Sequence, residues 1–298
     1  MTKEYLCRLC DWASFDVVYR GPIRSGGVGT DFVEGYEIRA CMDCGLASLY
    51  PLPDNLSEFY ESESYRQQFF DDIDVASMQR KYDVEQNARV KRIGIQTIRG
   101  KSIADFGAGP GLFLDSIQGV AGETIAIEPS CLYQGYFHSR GHIAYKYAHE
   151  LLAAGKQVDV AVSFDTIEHI LDIGEFVEQI YNAMKEDAVF YLSMPNYNDV
   201  VRLICPEAFE PFFYQISHLN YFSGRAASFL LEKTGFKKIT LEYLHKYNLN
   251  NLLQWTRHGK PGLFDTSKAF DTHFQNVYVE EVERLGIASH IFITARKN

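Results

Sequence analysis

The sequence has no long apolar run, and it has fewer basic than acidic residues. Its 298 residues include 29 lysines and arginines against 39 aspartates and glutamates, a formal net charge of −10. No segment approaches the roughly 18 apolar residues of a membrane span, and the opening MTKEYLCRLC lacks the apolar core of a signal peptide. Because a nucleic-acid backbone is held by clustered Lys and Arg, nucleic acid is disfavoured as a partner. We expect a cytoplasmic protein without a membrane span that acts on a small molecule or saccharide, with a homodimer left open.

Cysteine is scarce as well, but four of the six cysteines form two Cys-x-x-Cys pairs, Cys7 with Cys10 and Cys41 with Cys44. In a reducing compartment this spacing favours a metal over disulfides. Four thiolates complete a tetrahedral zinc site with no open position, so the zinc would be structural. The alternative, four buried or redox-active cysteines, stays open.

The segment 102–129, SIADFGAGPGLFLDSIQGVAGETIAIEP, lacks the third glycine of the dinucleotide fingerprint GxGxxG. Its glycines run GxGxG, and Leu112 stands where the third would be. Asp105, before the glycines, would repel a pyrophosphate but suits a ligand that carries an amine and a sulfonium. Glu128 ends the next strand, 17 residues beyond Gly111, where a carboxylate can accept both ribose hydroxyls. An NAD-dependent enzyme is therefore disfavoured.

With these residues the segment resembles the first motif, (D/E)xGxGxG, of class I S-adenosylmethionine (SAM)-dependent methyltransferases. The resemblance implies a SAM site that includes the glycine loop, the carboxylate after the second strand and the residues after the fourth strand. The residues so implied are Asp105, Gly107, Ala108, Gly109, Gly111, Glu128, Pro129, Phe164, Asp165, Thr166 and Tyr65. The alternative is a glycine-rich turn in an unrelated α/β protein.

Strand and helix patterns alternate from Ser102 onward, which indicates a parallel sheet. We predict an α/β, Rossmann-like fold with a seven-stranded methyltransferase sheet and a small zinc-ribbon-like unit before it. By the resemblance, the last strand enters antiparallel between the fifth and the sixth. The predicted strands are 102–106, 123–128, 142–145, 158–164, 188–194, 236–243 and 290–295, and the predicted helices include 78–98 and 269–285.

Composition divides the chain into three regions. Residues 1–55 form the zinc-binding unit, which the prolines of YPLPD close. Residues 56–100 form an acidic, aromatic lid segment and a covering helix. Residues 101–298 form the methyltransferase domain, with an insertion near 246–267 close to the active face.

The residues after the fourth strand carry the candidate chemistry. Asp165 to His169, DTIEH, resembles the "EH" variant of the family's fourth motif, in which Glu168 and His169 face the transferred methyl group. Because a sugar hydroxyl is weakly acidic, we expect a general base, and an imidazole suits work near neutral pH. We predict His169 as that base, oriented by Glu168, with His218 as the alternative. The contrasting interpretation is a helix cap followed by solvated side chains.

Two further segments are predicted to meet the substrate or SAM. The motif HLNYF, which includes His218, Asn220 and Tyr221, resembles a motif that lines the substrate pocket in related methyltransferases. Tyr60 and Tyr65 lie in the segment that related enzymes fold over SAM as a lid. Each segment also has a purely structural interpretation. His218 would be a hydrogen-bonded loop histidine, and the tyrosines would cover the core beneath a loop.

The acceptor is the least determined feature. The zinc unit, the tyrosine-rich lid and the "EH" motif together resemble methyltransferases of bacterial sugar and surface-polysaccharide pathways. Deoxysugar C-methyltransferases share the cysteine pairs but carry a further C-terminal α/β domain. The present sequence, which runs to Asn298, shows no counterpart of that domain, so we do not expect C-methylation. We therefore expect O-methylation of a sugar, nucleotide-sugar or polysaccharide component. Alternatives are a sugar C-methyltransferase, an RNA methyltransferase with a zinc ribbon, and a non-catalytic SAM- and zinc-binding interaction protein.

Overall fold

A computed structural model describes residues 6–54, 75–263 and 270–298. The N-terminal part consists of short strands that form antiparallel pairs. These are β1 (Phe15–Arg20), β2 (Ile23–Arg24), β3 (Phe32–Val33), β4 (Glu37–Cys41) and β5 (Ala47–Tyr50). β4 pairs with β1 and β5, while β2 and β3 form a separate hairpin around the glycine-rich SGGVGTD turn.

The predicted seven-stranded sheet follows, and its order confirms the expected topology. Its strands are β6 (Ser102–Phe106), β7 (Glu123–Ile127), β8 (Ile143–Tyr145), β9 (Val158–Phe164) and β10 (Met184–Pro195), and, after the short β11 (Asn220–Tyr221) of the smaller sheet, β12 (Lys237–Leu244) and β13 (His290–Arg296). The spatial order is β12-β13-β10-β9-β6-β7-β8. β13 is antiparallel to both β10 and β12, as expected of the closing strand.

Helices cover both faces of this sheet. They are α1 (Val75–Ile93), α2 (Ile95–Ile98), α3 (Leu112–Ile117), α4 (Gln134–Arg140), α5 (Ala148–Ala153), α6 (Ile173–Ala183), α7 (Val200–Ile204), α8 (Pro206–Phe213), α9 (Gly224–Thr234), α10 (Leu249–His258) and α11 (Thr272–Arg284). Neighbouring strand residues enter opposite cores: Ile103 joins the core with α1 and α3, and Ala104 joins the core with α6 and α9. This alternation is that of a strand buried on both faces, so the sheet is the middle layer of three.

One predicted helix is interrupted. The sequence suggests a single helix over 78–98, but the chain breaks at Gly94, whose φ is +85°, between α1 and α2. A left-handed residue cannot continue an α-helix, so the break lets the short α2 turn towards the start of β6. α9 begins where expected, with the Ser223 side chain accepting a hydrogen bond from Ala226 N at 3.3 Å.

The N-terminal sheet is completed by the later part of the chain. β11 pairs antiparallel with β5, so the smaller sheet runs β1-β4-β5-β11. Cys7, Leu9 and Leu46 also pack in the same core as α9. The described part of the N-terminal region, residues 6–54, therefore packs against the elements of the large sheet. Among the described residues, no helix is long and apolar enough to cross a membrane.

Candidate functional site

The glycine loop lies at the carboxyl end of β6, where ligands bind in open α/β sheets. Backbone N–H groups of Gly107 and Ala108 both donate to the Ile127 carbonyl oxygen of β7, at 2.8 and 3.2 Å. Gly107 has φ +84°, and a Cβ there would lie 2.3 Å from Thr166 Cγ2. Gly111 has φ +81°, and a Cβ there would lie 2.8 Å from Phe137 Cε1. Both positions require glycine, because the left-handed backbone and the close neighbours exclude a side chain.

Glu128 closes the loop from the end of β7. Its Oε2 accepts from Gly109 N at 2.8 Å, its Oε1 accepts from Ser130 N at 3.0 Å, and the residue is 3% exposed. Each carboxylate oxygen has two lone pairs and can accept more than one hydrogen bond. Pro129, between Glu128 and the donor Ser130, is half-buried. The arrangement suits a ligand with two adjacent hydroxyls.

Asp105 is a buried acid at the end of β6. Burial raises the pKa of its carboxyl to about 7, with Glu128 adding to the rise and the Arg89 guanidinium opposing it. A carboxylate held in this way is stabilised by a cation that binds beside it. This chemistry fits the cationic groups of SAM better than it fits a pyrophosphate.

Asp165 directly follows β9, the strand next to β6 in the sheet, and is paired with basic side chains. Its Oδ2 accepts from Arg89 Nη2 at 2.7 Å and lies 3.9 Å from Lys246 Nζ. Burial raises the pKa of this carboxyl, but Lys246 and Arg89 outweigh burial and hold it below its usual value. Thr166, the next residue, donates to the Phe164 carbonyl at 3.1 Å and lies against Gly107. The predicted fourth-strand residues are thus adjacent to the glycine loop.

Glu168 and His169 belong to a short 3₁₀ turn, Ile167–His169, directly after these residues. Glu168 is 2% exposed, and its Oε2 has no hydrogen-bond partner in the described part of the chain. Burial, aided by repulsion from Asp165, raises the pKa of this carboxyl well above its usual value. This shift favours the protonated form of Glu168, in which the carboxyl can donate a hydrogen bond.

The His169 ring is oriented by a backbone carbonyl. Its Nδ1 lies 2.8 Å from Ser217 O, which places the proton on Nδ1 and makes Nε2 the basic nitrogen. The hydrogen bond that fixes the tautomer goes to Ser217 O, and the orienting role of Glu168 stays a prediction.

His218 is brought to His169 by the segment before β11. The ring centroids are 4.7 Å apart and the planes meet at 80°, and the Gln215 side-chain amide donates to His218 Nε2. Burial lowers the pKa of His218 well below its usual value, with the charge of His169 and Arg24 adding to the shift. One nitrogen or oxygen from each of Glu168, His169 and His218 lies within 4.8 Å of the others. The two predicted base candidates therefore lie side by side in one polar cluster with Glu168.

Asn220 and Tyr221 hold this segment in place. Asn220 is fully buried; its amide donates to Ile170 O at 2.7 Å and accepts from Arg8 Nη1 at 3.3 Å. The Tyr221 hydroxyl accepts from Gln215 N at 3.0 Å and is 2% exposed. Both side chains are therefore occupied by contacts within the protein.

The remaining predicted residues have different settings. Phe164 is 7% exposed and packs edge-on against Phe113, with the Arg89 guanidinium 4.6 Å above its ring. Tyr60 and Tyr65 lie outside the described residues. Phe164 therefore supports Arg89 and the core at this end of the sheet.

The four predicted cysteines meet in space. Cys7 Sγ lies 3.5 Å from Cys44 Sγ, Cys10 Sγ lies 3.5 Å from Cys41 Sγ, and all four sulfurs lie within 4.8 Å of one another. A tetrahedral site with Zn–S bonds of about 2.3 Å separates its sulfurs by about 3.8 Å. Leu9 N points at Cys7 Sγ from 3.5 Å. The donor set and its spacing fit a structural zinc ion.

Arg8, within the first cysteine pair, connects this cluster to the histidine segment. Its Nη1 donates to Leu219 O at 2.6 Å and its Nη2 donates to Leu49 O at 2.9 Å. Leu49 N in turn donates to Leu219 O at 3.0 Å. The cysteine cluster is thus tied to the residue that follows His218.

Sequence reasoning missed the basic residues of the site. Arg24, Arg89 and Lys246 come from β2, α1 and the stretch after β12, far apart in sequence. No spacing marks them, because they converge only when the helix and the N-terminal hairpin pack on the sheet. The one available signal was the position of Lys246 at the start of the predicted insertion near the active face.

Comparisons with known proteins agree with this geometry. A family model described as a methyltransferase domain matches residues 63–241. A Mycolicibacterium smegmatis protein named a probable S-adenosylmethionine-dependent methyltransferase is 30% identical over 100 residues, which cover 33% of this chain and 39% of that protein. The match thus spans less than half of that relative.

A solved structure shows the same fold. The crystal structure of a SAM-dependent methyltransferase from Archaeoglobus fulgidus has a TM-score of 0.51 and 19% identity to this chain, and the match covers 75% of this chain and 99% of that one. The family match spans more than half of the chain and includes the glycine loop and the Glu168–His169 turn. The chain therefore belongs to the methyltransferase-domain family of SAM-dependent enzymes.

Proposed function

We propose that this protein O-methylates a small polar acceptor, a sugar or nucleotide-sugar hydroxyl, with SAM as the methyl donor. The observation that carries this proposal is the cluster of Glu168, His169 and His218, in the turn after β9 and the segment before β11. A hydroxyl is a poor nucleophile until its proton is removed, and this cluster offers an oriented imidazole for that task. When bound, SAM supplies an electrophilic methyl group on a sulfonium.

In this proposal the glycine loop and its acids hold SAM. Residues 107–111 provide the close backbone approach, Glu128 accepts the ribose hydroxyls, and Asp105 faces the cationic end of the ligand. Support comes from the two positions where a Cβ would collide, from the two-oxygen geometry of Glu128 and from the raised pKa of Asp105. Pro129, Asp165 and Thr166 border the same site, and Tyr65 stays a prediction.

His169 takes the acceptor proton at Nε2. The Nδ1 contact with Ser217 O keeps the ring in the tautomer whose Nε2 is basic. Glu168, whose raised pKa favours the protonated form, donates a hydrogen bond to an acceptor oxygen and helps to position it. Burial lowers the pKa of His218 well below its usual value, which makes His218 a poor base and leaves it as the alternative to His169. Asn220 and Tyr221 act by positioning the His218 segment, and Tyr60 stays a predicted substrate contact.

The four cysteines bind one zinc ion in this proposal. The zinc fixes the relative positions of the first cysteine turn and of the segment between β4 and β5. Arg8 then holds the segment that carries His218 through its hydrogen bonds to Leu219 O and Leu49 O. It takes no part in proton or methyl transfer, because four thiolates leave no open position.

The test is methyl transfer from isotope-labelled SAM to a panel of sugars, nucleotide-sugars and glycans. His169→Ala should reduce turnover at least about 100-fold, while SAM affinity stays within about threefold of wild type. His218→Ala is the matched control and should reduce turnover less. Near-wild-type turnover of His169→Ala would rule out His169 as the base, and methyl groups found on carbon would rule out O-methylation.

A further inference from the structure

Arg24 is a buried cation close to the histidine cluster, near enough for its charge to act on His218. It is 8% exposed and lies in β2, outside the large sheet. Arg24 N donates to Tyr214 O at 3.0 Å, and Ile216 N donates to Arg24 O at 2.9 Å. The residue bridged to Arg24 is Gln215, whose side chain donates to His218. Backbone contacts therefore join Arg24 to residues 214–216, which directly precede the His218 segment.

The guanidinium has no acidic partner in residues 6–54, 75–263 and 270–298. Arg24 Nε donates to Phe212 O, Nη1 donates to Gly26 O at 3.2 Å, and the group lies 4.4 Å over the Phe212 ring. Two other half-buried arginines are each paired with an acid: Arg89 with Asp165 at 2.7 Å and Arg202 with Glu210 at 3.1 Å. Arg24 differs from these two.

An unpaired buried guanidinium is costly, because its desolvation is not offset by an opposite charge. Burial lowers the pKa of Arg24, and the neighbours that oppose the shift are the weak acids Tyr221 and Tyr247. Arg24 also adds to the shift that keeps His218 neutral. A retained buried charge of this kind, beside two candidate catalytic histidines, favours a binding role for it.

The donor geometry suits an oxyanion. A guanidinium has five N–H donors in a planar fork, and two of those on Arg24 are used by carbonyl oxygens. Three donors remain on the Nη1 and Nη2 side, enough for a bidentate contact with a carboxylate or phosphate.

We propose that Arg24 binds an anionic group of the methyl acceptor, a phosphate or carboxylate oxyanion, while the hydroxyl to be methylated lies at His169. This inference rests on the proposed function and narrows it. The acceptor is a charged building block, such as a sugar linked to a phosphate or an acidic sugar, rather than a neutral glycan.

The test is calorimetric titration of wild-type protein saturated with S-adenosylhomocysteine, the product form of the cofactor. Three probes are compared at constant ionic strength: pyrophosphate, malonate and neutral methyl glucoside. We expect pyrophosphate or malonate to bind and the glucoside to bind at least tenfold more weakly. Binding of pyrophosphate alone assigns a phosphate acceptor, and binding of malonate alone assigns a carboxylate. Failure of both anions to bind would overturn the proposal.

Arg24→Gln should weaken binding of that anion at least tenfold and leave S-adenosylhomocysteine affinity unchanged. Arg20→Gln is the matched control, because Arg20 lies in the same N-terminal region, is exposed and is paired with Glu37; it should bind the anion as wild type does. Equal anion affinity in Arg24→Gln and wild type would overturn the proposal.

If Arg24→Gln does not fold, Arg24→Lys replaces it, since lysine keeps the charge but loses the fork. A loss of at least threefold in anion affinity is then expected, and unchanged affinity would contradict the role of the guanidinium. Failure of S-adenosylhomocysteine to bind wild type would count against the proposed function instead. The anion titrations are then judged on the unloaded protein.

Discussion

At the scale of single residues, the glycine loop is limited by space as well as by backbone conformation. Gly107→Ala would place a Cβ 2.3 Å from Thr166 Cγ2 at a φ of +84°. We expect the loop to shift, with a stability loss of about 1–3 kcal/mol and SAM affinity at least tenfold lower. Thermal unfolding and calorimetric titration with SAM measure the two effects.

Gly119→Ala is the control for this prediction. Gly119 follows α3, and a Cβ there would meet no atom within 4 Å. It should bind SAM as wild type does. Equal SAM affinity in Gly107→Ala and Gly119→Ala would show that the close approach at Gly107 does not shape the ligand site.

Asp105 predicts a pH dependence of the ligand-free protein. Its folded-state pKa of about 7 lies above the ordinary value of 3.8, so the folded state binds the proton more tightly than the unfolded state does. The stability contribution of the protonated carboxyl is therefore complete below pH 4 and is lost as the pH rises through 7. At pH 8 the cost is about 4 kcal/mol at most. Asp105→Asn should accordingly be more stable than wild type at pH 8, with a smaller difference at pH 5.

Asp159→Asn is the control variant, because the pKa of Asp159 is shifted in the opposite direction to that of Asp105. Burial raises the pKa of Asp159, but Ser102 and Lys185 outweigh it and hold the pKa below its usual value. The contribution of the ionised form is thus present at neutral pH and lost as the pH falls, so this variant should be slightly less stable than wild type at pH 8. Melting temperatures of the three proteins at pH 5 and pH 8 decide the matter. A pH-independent difference for Asp105→Asn would refute the raised pKa.

At the scale of elements, the pairing of β5 with β11 links the cysteine cluster to the His218 segment. Removing zinc with a chelator, or Cys41→Ser, should loosen β5 and residues 219–221 while the glycine loop stays intact. We expect faster hydrogen exchange at 47–50 and 219–221, at least tenfold lower methyl transfer and SAM affinity within about threefold of wild type. Metal analysis should find one zinc per chain before chelation.

Cys131→Ser is the control here, because Cys131 is exposed and lies apart from the cluster. It should keep its zinc and its exchange pattern. Much less than one zinc per chain with four titratable thiols would exclude the metal, and unchanged exchange at 219–221 after zinc loss would exclude the link through Arg8 and β11.

Elements of the large sheet could be predicted because each strand carries its own apolar run. The fifth strand is longer than the predicted 188–194: β10 begins at Met184, with an irregular register before Val189 and Asp187 at φ +61°. The charged residues 185–187 hide this extension, because they stay outside the core while the backbone remains extended. The short β11 could not be predicted, since its strand character comes from pairing with β5 rather than from its own sequence.

For the molecule as a whole, the sequence predicts the sheet and the cofactor side of the site better than the acceptor side. Asp105, the glycines and Glu128 lie within one βαβ unit, so their convergence follows from local order. Arg8 and Arg24 come close to the segment that carries His218 only because the N-terminal strands pack against that segment. Such convergence depends on long-range packing, for which a single sequence has no periodic signal. The division at residue 55 predicted from composition remains a proposal, and the sheet shared through β11 argues for close coupling across it.

The most direct test is a crystal structure of the protein with S-adenosylhomocysteine. We predict ribose hydroxyls on Glu128, the ligand amine near Asp105 and the sulfur directed towards the cluster of Glu168, His169 and His218. A ligand bound elsewhere, or one whose sulfur faces away from the two histidines, would contradict the account.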